Sequence, residues 1–388
     1  MRLPVYLLNK PSNISMIATA LSFAGWAFPS FGVLRKGFGR PATVDPVAIL
    51  VLTSWYVLIV VCFHVGQFFG TPRSGSHTQS APVVSLDANP PYYIFTIIAA
   101  IGLLAAVAKV VGSLSLEGAI GFLFSGQANQ MREAMYDDYQ VGLLSLRYVV
   151  VYPAAIAIYR LVTRRRLSLS IVVNLLLLLV GASISSRLTL VATVVTSFLL
   201  LNYDVRFQKI RVSRVLLIGA LLFSILSVFN YSRNYGFYEE RGQSFWSSGF
   251  AEIITYLGGS AQVELATAAR TSDLVSGHEE SYRELVDVEE QLNAPSAFVT
   301  LHQHMGYLCW LYIAVVCALF GFVFTHLVAK GKTIYLLPCG AILYAAADVW
   351  RINFFGQGIF IVLMVVGIGV PWFLSFVASF AAPRQIEA

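Results

Sequence analysis

Residues 160–214 read RLVTRRRLSLSIVVNLLLLLVGASISSRLTLVATVVTSFLLLNYDVRFQKIRVSR. Two uncharged apolar runs, Leu169–Ile184 and Leu188–Tyr203, are separated only by Ser185-Ser186-Arg187. Basic clusters flank the pair: Arg160, Arg164, Arg165 and Arg166 before it, Arg206, Lys209, Arg211 and Arg214 after it. A helix needs roughly 20 predominantly apolar residues to cross ~30 Å of hydrocarbon. Each run approaches that length, so the pair reads as a helix that crosses, turns at Arg187 and returns. Lys and Arg concentrate in cytoplasmic loops, which places both basic clusters inside and Arg187 at the outer face.

The same pattern continues in both directions. Spans are expected at 13–34, 46–69, 92–111, 148–161, Leu169–Ile184, Leu188–Tyr203, 215–230, 306–328, 333–349 and 354–380. Lys330 and Lys332 fall two crossings after the Arg206–Arg214 cluster, and Arg384 lies in the tail. Both termini are therefore expected in the cytoplasm. One loop breaks the rule, because Arg35, Lys36 and Arg40 fall outside in this arrangement. The fold class expected is all-α: a single polytopic integral membrane domain over residues 1–388, with about ten transmembrane helices and a large periplasmic loop.

Composition agrees. Hydrophobic residues make up 57% of the 388 and charged residues 12%. A soluble domain carries about 25% charged residues, so two or three soluble domains are excluded. The start is interrupted by Pro4, Lys10 and Pro11, so no cleavable signal peptide is expected. The net charge of +6 is explained by cytoplasmic Lys and Arg, and no nucleic-acid motif is present. Cys62, Cys309, Cys317 and Cys339 lie in or beside apolar runs without CxxC or Cys/His metal spacing. They read as small buried side chains.

Two segments stand apart from the spans. Residues 113–147 mix Leu116, Phe122, Leu123 and Met131 with Arg132, Glu133, Asp137 and Asp138, as a helix lying in the interface would. Residues 231–300 form the large periplasmic loop. It holds 11 of the 20 acidic residues against four basic ones, so it is −7 while the rest of the chain is +13, the total being +6. Connections of this length are usually functional or disordered, and its aromatic residues, Trp246 and Tyr256 among them, argue for order. The dense acids at 279–290 read as a solvated face.

The candidate functional residues lie at the outer face. Arg187, Arg233, Arg147 and Arg351 all stand at outer span ends, where arginine anchors are least expected. Each guanidinium can fork two hydrogen bonds onto phosphate oxygens, so together they suggest a diphosphate site. Snorkelling competes with this reading for Arg187, and a helix pair with Asp348 competes for Arg351. His302 and His304, where the loop re-enters the membrane, can exchange protons near neutral pH. Their i, i+2 spacing does not suit a helical metal pair. Glu252 and Glu264, in the more apolar part of the loop, are carboxylate base candidates. Acidic residues are scarce in the spans, which weighs against an ion-coupled transporter.

Ile184-Ser185-Ser186-Arg187-Leu188, the apolar run and basic loop after it, and a span ending at Arg233 resemble the O-antigen polymerase (Wzy-type) family. Asn293-Ala294-Pro295-Ser296-Ala297-Phe298 before Gly306, Tyr256-Leu257-Gly258-Gly259, and the interfacial segment with Arg132 are similar to it too. The resemblance covers most of residues 113–380. It implies a GT-C-like helical membrane glycosyltransferase, independent of metal and cofactor, in the bacterial inner membrane. Its partners would be undecaprenyl-diphosphate-linked glycan donor and acceptor, membrane lipid and a chain-length regulator protein. It implies that outer arginines serve the diphosphates, while Glu252, His304 or His302 would accept the proton. The family's Arg-x10-Gly loop pattern is absent. A histidine near the re-entry point also resembles O-antigen ligases, and a lipid-linked oligosaccharide transporter is the alternative from another class.

Overall fold

A computed structural model describes residues 9–27, 44–71, 89–124, 131, 134–135, 142–184, 188–203, 220–221, 223–225, 227–228, 231, 244–274, 281–286, 295–331 and 333–381. The described residues are helical with no strand. The helices are α1 (Pro11–Ala27), α2 (Pro46–Gly70), α3 (Asn89–Leu114), α4 (Leu116–Phe124), α5 (Val151–Arg164), α6 (Leu169–Ile184), α7 (Leu188–Tyr203), α8 (Phe245–Thr267), α9 (Ala297–Met305), α10 (Leu308–Ala329), α11 (Leu336–Ala347) and α12 (Gly358–Ala381). A 3₁₀ stretch, Leu143–Val150, leads directly into α5. Five of these stretches are long and apolar enough to cross a membrane: Pro46–Gly70, Asn89–Leu114, Leu143–Arg164, Leu308–Ala329 and Gly358–Val377. The chain is a helical membrane protein. Leu169–Ile184, Leu188–Tyr203 and Thr333–Ala347 are shorter apolar helices. Most of the expected span at 215–230 lies outside the described residues.

Local chemistry sets the helix ends. Asp45 caps α2 by accepting from Val47 N at 2.8 Å, with Pro46 in the first turn. Ser296 caps α9 by accepting from Val299 N at 3.1 Å. Gly306, at φ +54°, ends α9 and turns the chain into α10.

The chain forms two compact units. The first combines residues 1–71, 210–325 and 345–357. In it α2 and α10 run parallel. Gly66 lies against Ala318, and Gly70 against Phe322 and Thr325, so the backbones touch through a Gly-x-x-x-Gly face. A Cβ on Gly66 would overlap the Ala318 carbonyl. α1 packs along α8, where the Ser22 hydroxyl donates to Leu257 O at 2.8 Å.

The second unit combines residues 72–209, 326–344 and 358–388. α3 packs on the 3₁₀ stretch, and Gly102 leaves room for the backbone of Leu146 and Arg147. Tyr152 donates to Leu363 O of α12 at 2.7 Å. Arg160, near the end of α5, is 4% exposed and lies over the Tyr92 ring, 4.2 Å from its centroid. Ala119, Met131 and Met135, from the segment expected in the interface, pack on Ala106 and Val110 near the end of α3.

Candidate polar site along α8

The segment expected as an outer loop contains a 23-residue helix, α8, that packs against α1 and α2. Tyr256, Ser260 and Glu264 follow one another at intervals of four, so they share one face of α8. Ser260 is fully buried and Glu264 is 1% exposed. A carboxyl so enclosed needs hydrogen-bond partners, because none can come from water. Tyr56, in the middle of α2, donates to Glu264 Oε1 at 2.6 Å. The Ser296 hydroxyl also bonds Glu264, tying α8 to the start of α9. Next to Glu264 along the chain, Gln262 Oε1 accepts from Trp26 Nε1 of α1 at 2.6 Å.

At the other end of this face stands Arg351. Its Nε and Nη2 meet Asp348 Oδ1 and Oδ2 at 2.9 and 2.7 Å, a two-pronged ion pair. Its Nη1 donates to Tyr256 OH at 3.1 Å. The Asp348 pairing weighed against a phosphate role is thus present. Arg351 is 8% exposed and Asp348 7%.

His302 and His304 have different surroundings. His302 is buried among Trp55, Phe298 and Trp310. Its Nδ1 lies 2.9 Å from Phe298 O, and Trp310 Nε1 donates to its Nε2 at 3.2 Å. A carbonyl only accepts and an indole N–H only donates, so the ring is neutral with its proton on Nδ1. Burial lowers its pKa, and the bond to Phe298 O opposes that shift more weakly. Both nitrogens are engaged, so proton transfer by His302 would first require the Trp310 bond to break. His304 is exposed at the last turn of α9.

The remaining expected residues divide as follows. Arg147 lies in the second unit, 1% exposed, inside the first turns of a candidate span and not at its end. Its guanidinium reaches Leu144 O and donates to Tyr148 OH at 2.7 Å, so phosphate binding would have to displace these bonds. Arg187 and Arg233 lie outside the described residues. Glu252 belongs to α8, one turn before Tyr256, and its side chain lies outside the described residues.

Sequence reading did not single out Tyr56, Trp26 or Gln262. The four-residue spacing of Tyr256, Ser260 and Glu264 was the available signal, and reading 231–300 as a loop hid it. Comparison with protein-family models, with curated proteins and with solved structures finds no match for this chain.

Proposed function

We propose that this chain is a membrane glycosyltransferase that joins glycan repeat units, carried on undecaprenyl diphosphate, into a surface polysaccharide at the periplasmic face. The observation that carries the reading is the enclosed polar face of α8, set among apolar helices and holding a carboxyl at one end and an arginine at the other. A polar reaction centre inside a lipid-facing unit suits a substrate with a polar head and a long apolar anchor.

In the reaction, the hydroxyl of the acceptor sugar attacks the anomeric carbon of the donor chain. A C–O bond forms, the bond to the diphosphate oxygen breaks, and the hydroxyl proton goes to a base. Negative charge grows on the departing undecaprenyl diphosphate. Fixed guanidinium groups therefore stabilise the transition state more than the ground state. Arg187 and Arg233 are the arginines proposed for this role. Arg351 joins them only by exchanging its Asp348 partner. Glu252 and His304 are the proposed proton acceptors, with Glu264 the further carboxyl on the same helix.

The test mixes purified protein with its lipid-linked repeat unit alone and sizes the products on a gel. A ladder is expected. No ladder from the correct substrate refutes the polymerase and turns attention to a ligase, which needs a different acceptor. A transporter is the second reading, and full burial of Glu264 favours it, since a carboxyl within a membrane bundle is a place to hold a coupling proton. Transport leaves the repeat unit unjoined, so the same gel separates the two.

A further inference from the structure

In the second unit, α5 runs out into three consecutive arginines, Arg164, Arg165 and Arg166, all of them exposed. They stand at the end of Leu143–Arg164, a stretch long and apolar enough to cross a membrane, which puts them at the level of lipid head groups. No carboxylate occurs in the sequence between Asp138 and Asp204, so the chain around them is purely basic.

The connector that carries them is held in place. One turn back, the buried Arg160 lies over the Tyr92 ring, and its Nη1 donates to Asn89 Oδ1 at 3.4 Å, at the start of α3. Tyr92 donates to Ser170 O at 2.9 Å, at the start of α6. The end of α5 and the starts of α3 and α6 thus meet at one level. Arg160 serves the fold there, and the three arginines after it are presented outward.

Two observations narrow the partner. Arg165 lies in the left-handed region at φ +50°, its N–H bonded to Leu161 O at 3.0 Å, in the position after a helix that glycine usually takes. Backbone strain kept at an exposed residue points to a use for its side chain. The apolar residues of the connector are exposed as well: Leu167 is 68% and Leu169 81% exposed. A soluble polyanion offers nothing to those leucines. A phospholipid surface takes both sets, phosphates meeting the guanidinium forks while the leucines enter the acyl layer beneath. Each arginine near such a surface favours a head group of net negative charge over a zwitterionic one by roughly fivefold.

We propose that the α5–α6 connector is a docking surface for anionic phospholipid, with Arg165 and Arg166 on head-group phosphates and Leu167 and Leu169 in the acyl region. It needs no assumption about the reaction, only that the chain sits in a bilayer.

The test puts a photoactivatable residue into the full chain, as Leu167→p-benzoylphenylalanine. A control carries it at Leu311, which is 65% exposed on α10 in the other unit. Each protein is reconstituted into vesicles of equal phosphatidylglycerol and phosphatidylcholine and irradiated, and the cross-linked lipids are identified by mass spectrometry. At position 167 phosphatidylglycerol adducts should exceed phosphatidylcholine adducts at least ~fivefold, and at 311 the two should be nearly equal. Sodium chloride at ~0.5 M should lower the ratio at 167 by screening, and inorganic phosphate at matched ionic strength should lower it no further. Adding Arg165→Gly/Arg166→Gln should bring the ratio below ~twofold. Glycine suits the backbone at position 165, so this variant should elute as its parent does. A ratio near one at 167, equal enrichment at 311, or enrichment unmoved by the double variant would overturn the proposal. Loss of enrichment to phosphate beyond the chloride effect would mark a small-anion site and overturn it too.

Discussion

Replacing Asp348 by Asn tests whether Arg351 is a structural cation. The two residues are three apart, nearly buried, and joined by bonds of 2.9 and 2.7 Å. Asn keeps the shape but loses the charge, so the buried guanidinium loses its carboxylate counter-ion while its bond to Tyr256 OH remains. Breaking a buried pair from one side typically costs ~3–5 kcal/mol, because the other charge stays behind. Since ~1.4 kcal/mol is tenfold, the folded-to-unfolded ratio should fall at least a hundredfold. Removing both charges, as Asp348→Asn/Arg351→Gln, should recover much of the loss. The chain provides its own control. Arg270 and Asp273 form the same i, i+3 pair at 2.9 Å, with side chains 56% and 44% exposed. Asp273→Asn should cost under ~0.5 kcal/mol, since solvent already screens that pair. Denaturant unfolding in detergent, for both single variants and the double, supplies the comparison. If Asp348→Asn costs no more than Asp273→Asn, or if the two single losses simply add in the double, the buried-pair reasoning is wrong. Arg351 would then be available for a substrate phosphate.

Further expectations use the same preparation. Tyr56→Phe deletes the donor to a buried carboxyl and should cost ~1.5–3 kcal/mol; a change below 0.5 kcal/mol, on the order of a tolerated surface substitution, would show that the bond contributes little. Gly66→Leu should prevent the monodisperse elution of folded protein, because the side chain would enter the Ala318 backbone. Gly112→Ala, where a Cβ meets nothing within 4 Å, should be neutral or gain up to ~1 kcal/mol; similar behaviour of the two variants would discredit the α2–α10 contact. His302 holds its proton less tightly folded than unfolded, so the unfolded state takes up more protons as pH falls below ~6.5. Stability should therefore decline from pH 7 to pH 5, and His302→Gln should flatten that decline; an unchanged slope refutes it.

The helix pattern was legible where apolar runs are uninterrupted. Leu169–Ile184 and Leu188–Tyr203 match to the residue, and the run expected at 46–69 is Pro46–Gly70. Hydrophobicity alone fixes such helices. The start of Leu143–Arg164 was misplaced by five residues, since Ser145 and Arg147 interrupt the apolar run; the Arg147 guanidinium is satisfied by Leu144 O and Tyr148 OH, and the stretch packs on α3. α8 was hidden for the same reason. Its glutamine and glutamate look like loop residues until Trp26, Tyr56 and Ser296 satisfy them, and those partners lie 30 to more than 230 residues away in sequence. Arg351 was found by sequence because its partner is local. The arginines proposed for the diphosphate were found by topology, which says where a residue stands and nothing of what it touches.

The interleaving of the two units bears on how the protein is made. Each unit draws on three separated stretches, and α10 and α11 each begin in one and end in the other. As the ribosome delivers the chain, α1 and α2 are made long before α8 and α10. Ser22, Trp26 and Tyr56 must wait through more than 170 residues of translation for their partners. No early fragment contains a finished core, so a stalled or truncated chain presents unpaired polar groups to lipid. That is the kind of intermediate an insertase or a membrane protease recognises, so quality control of this protein should act on incomplete chains.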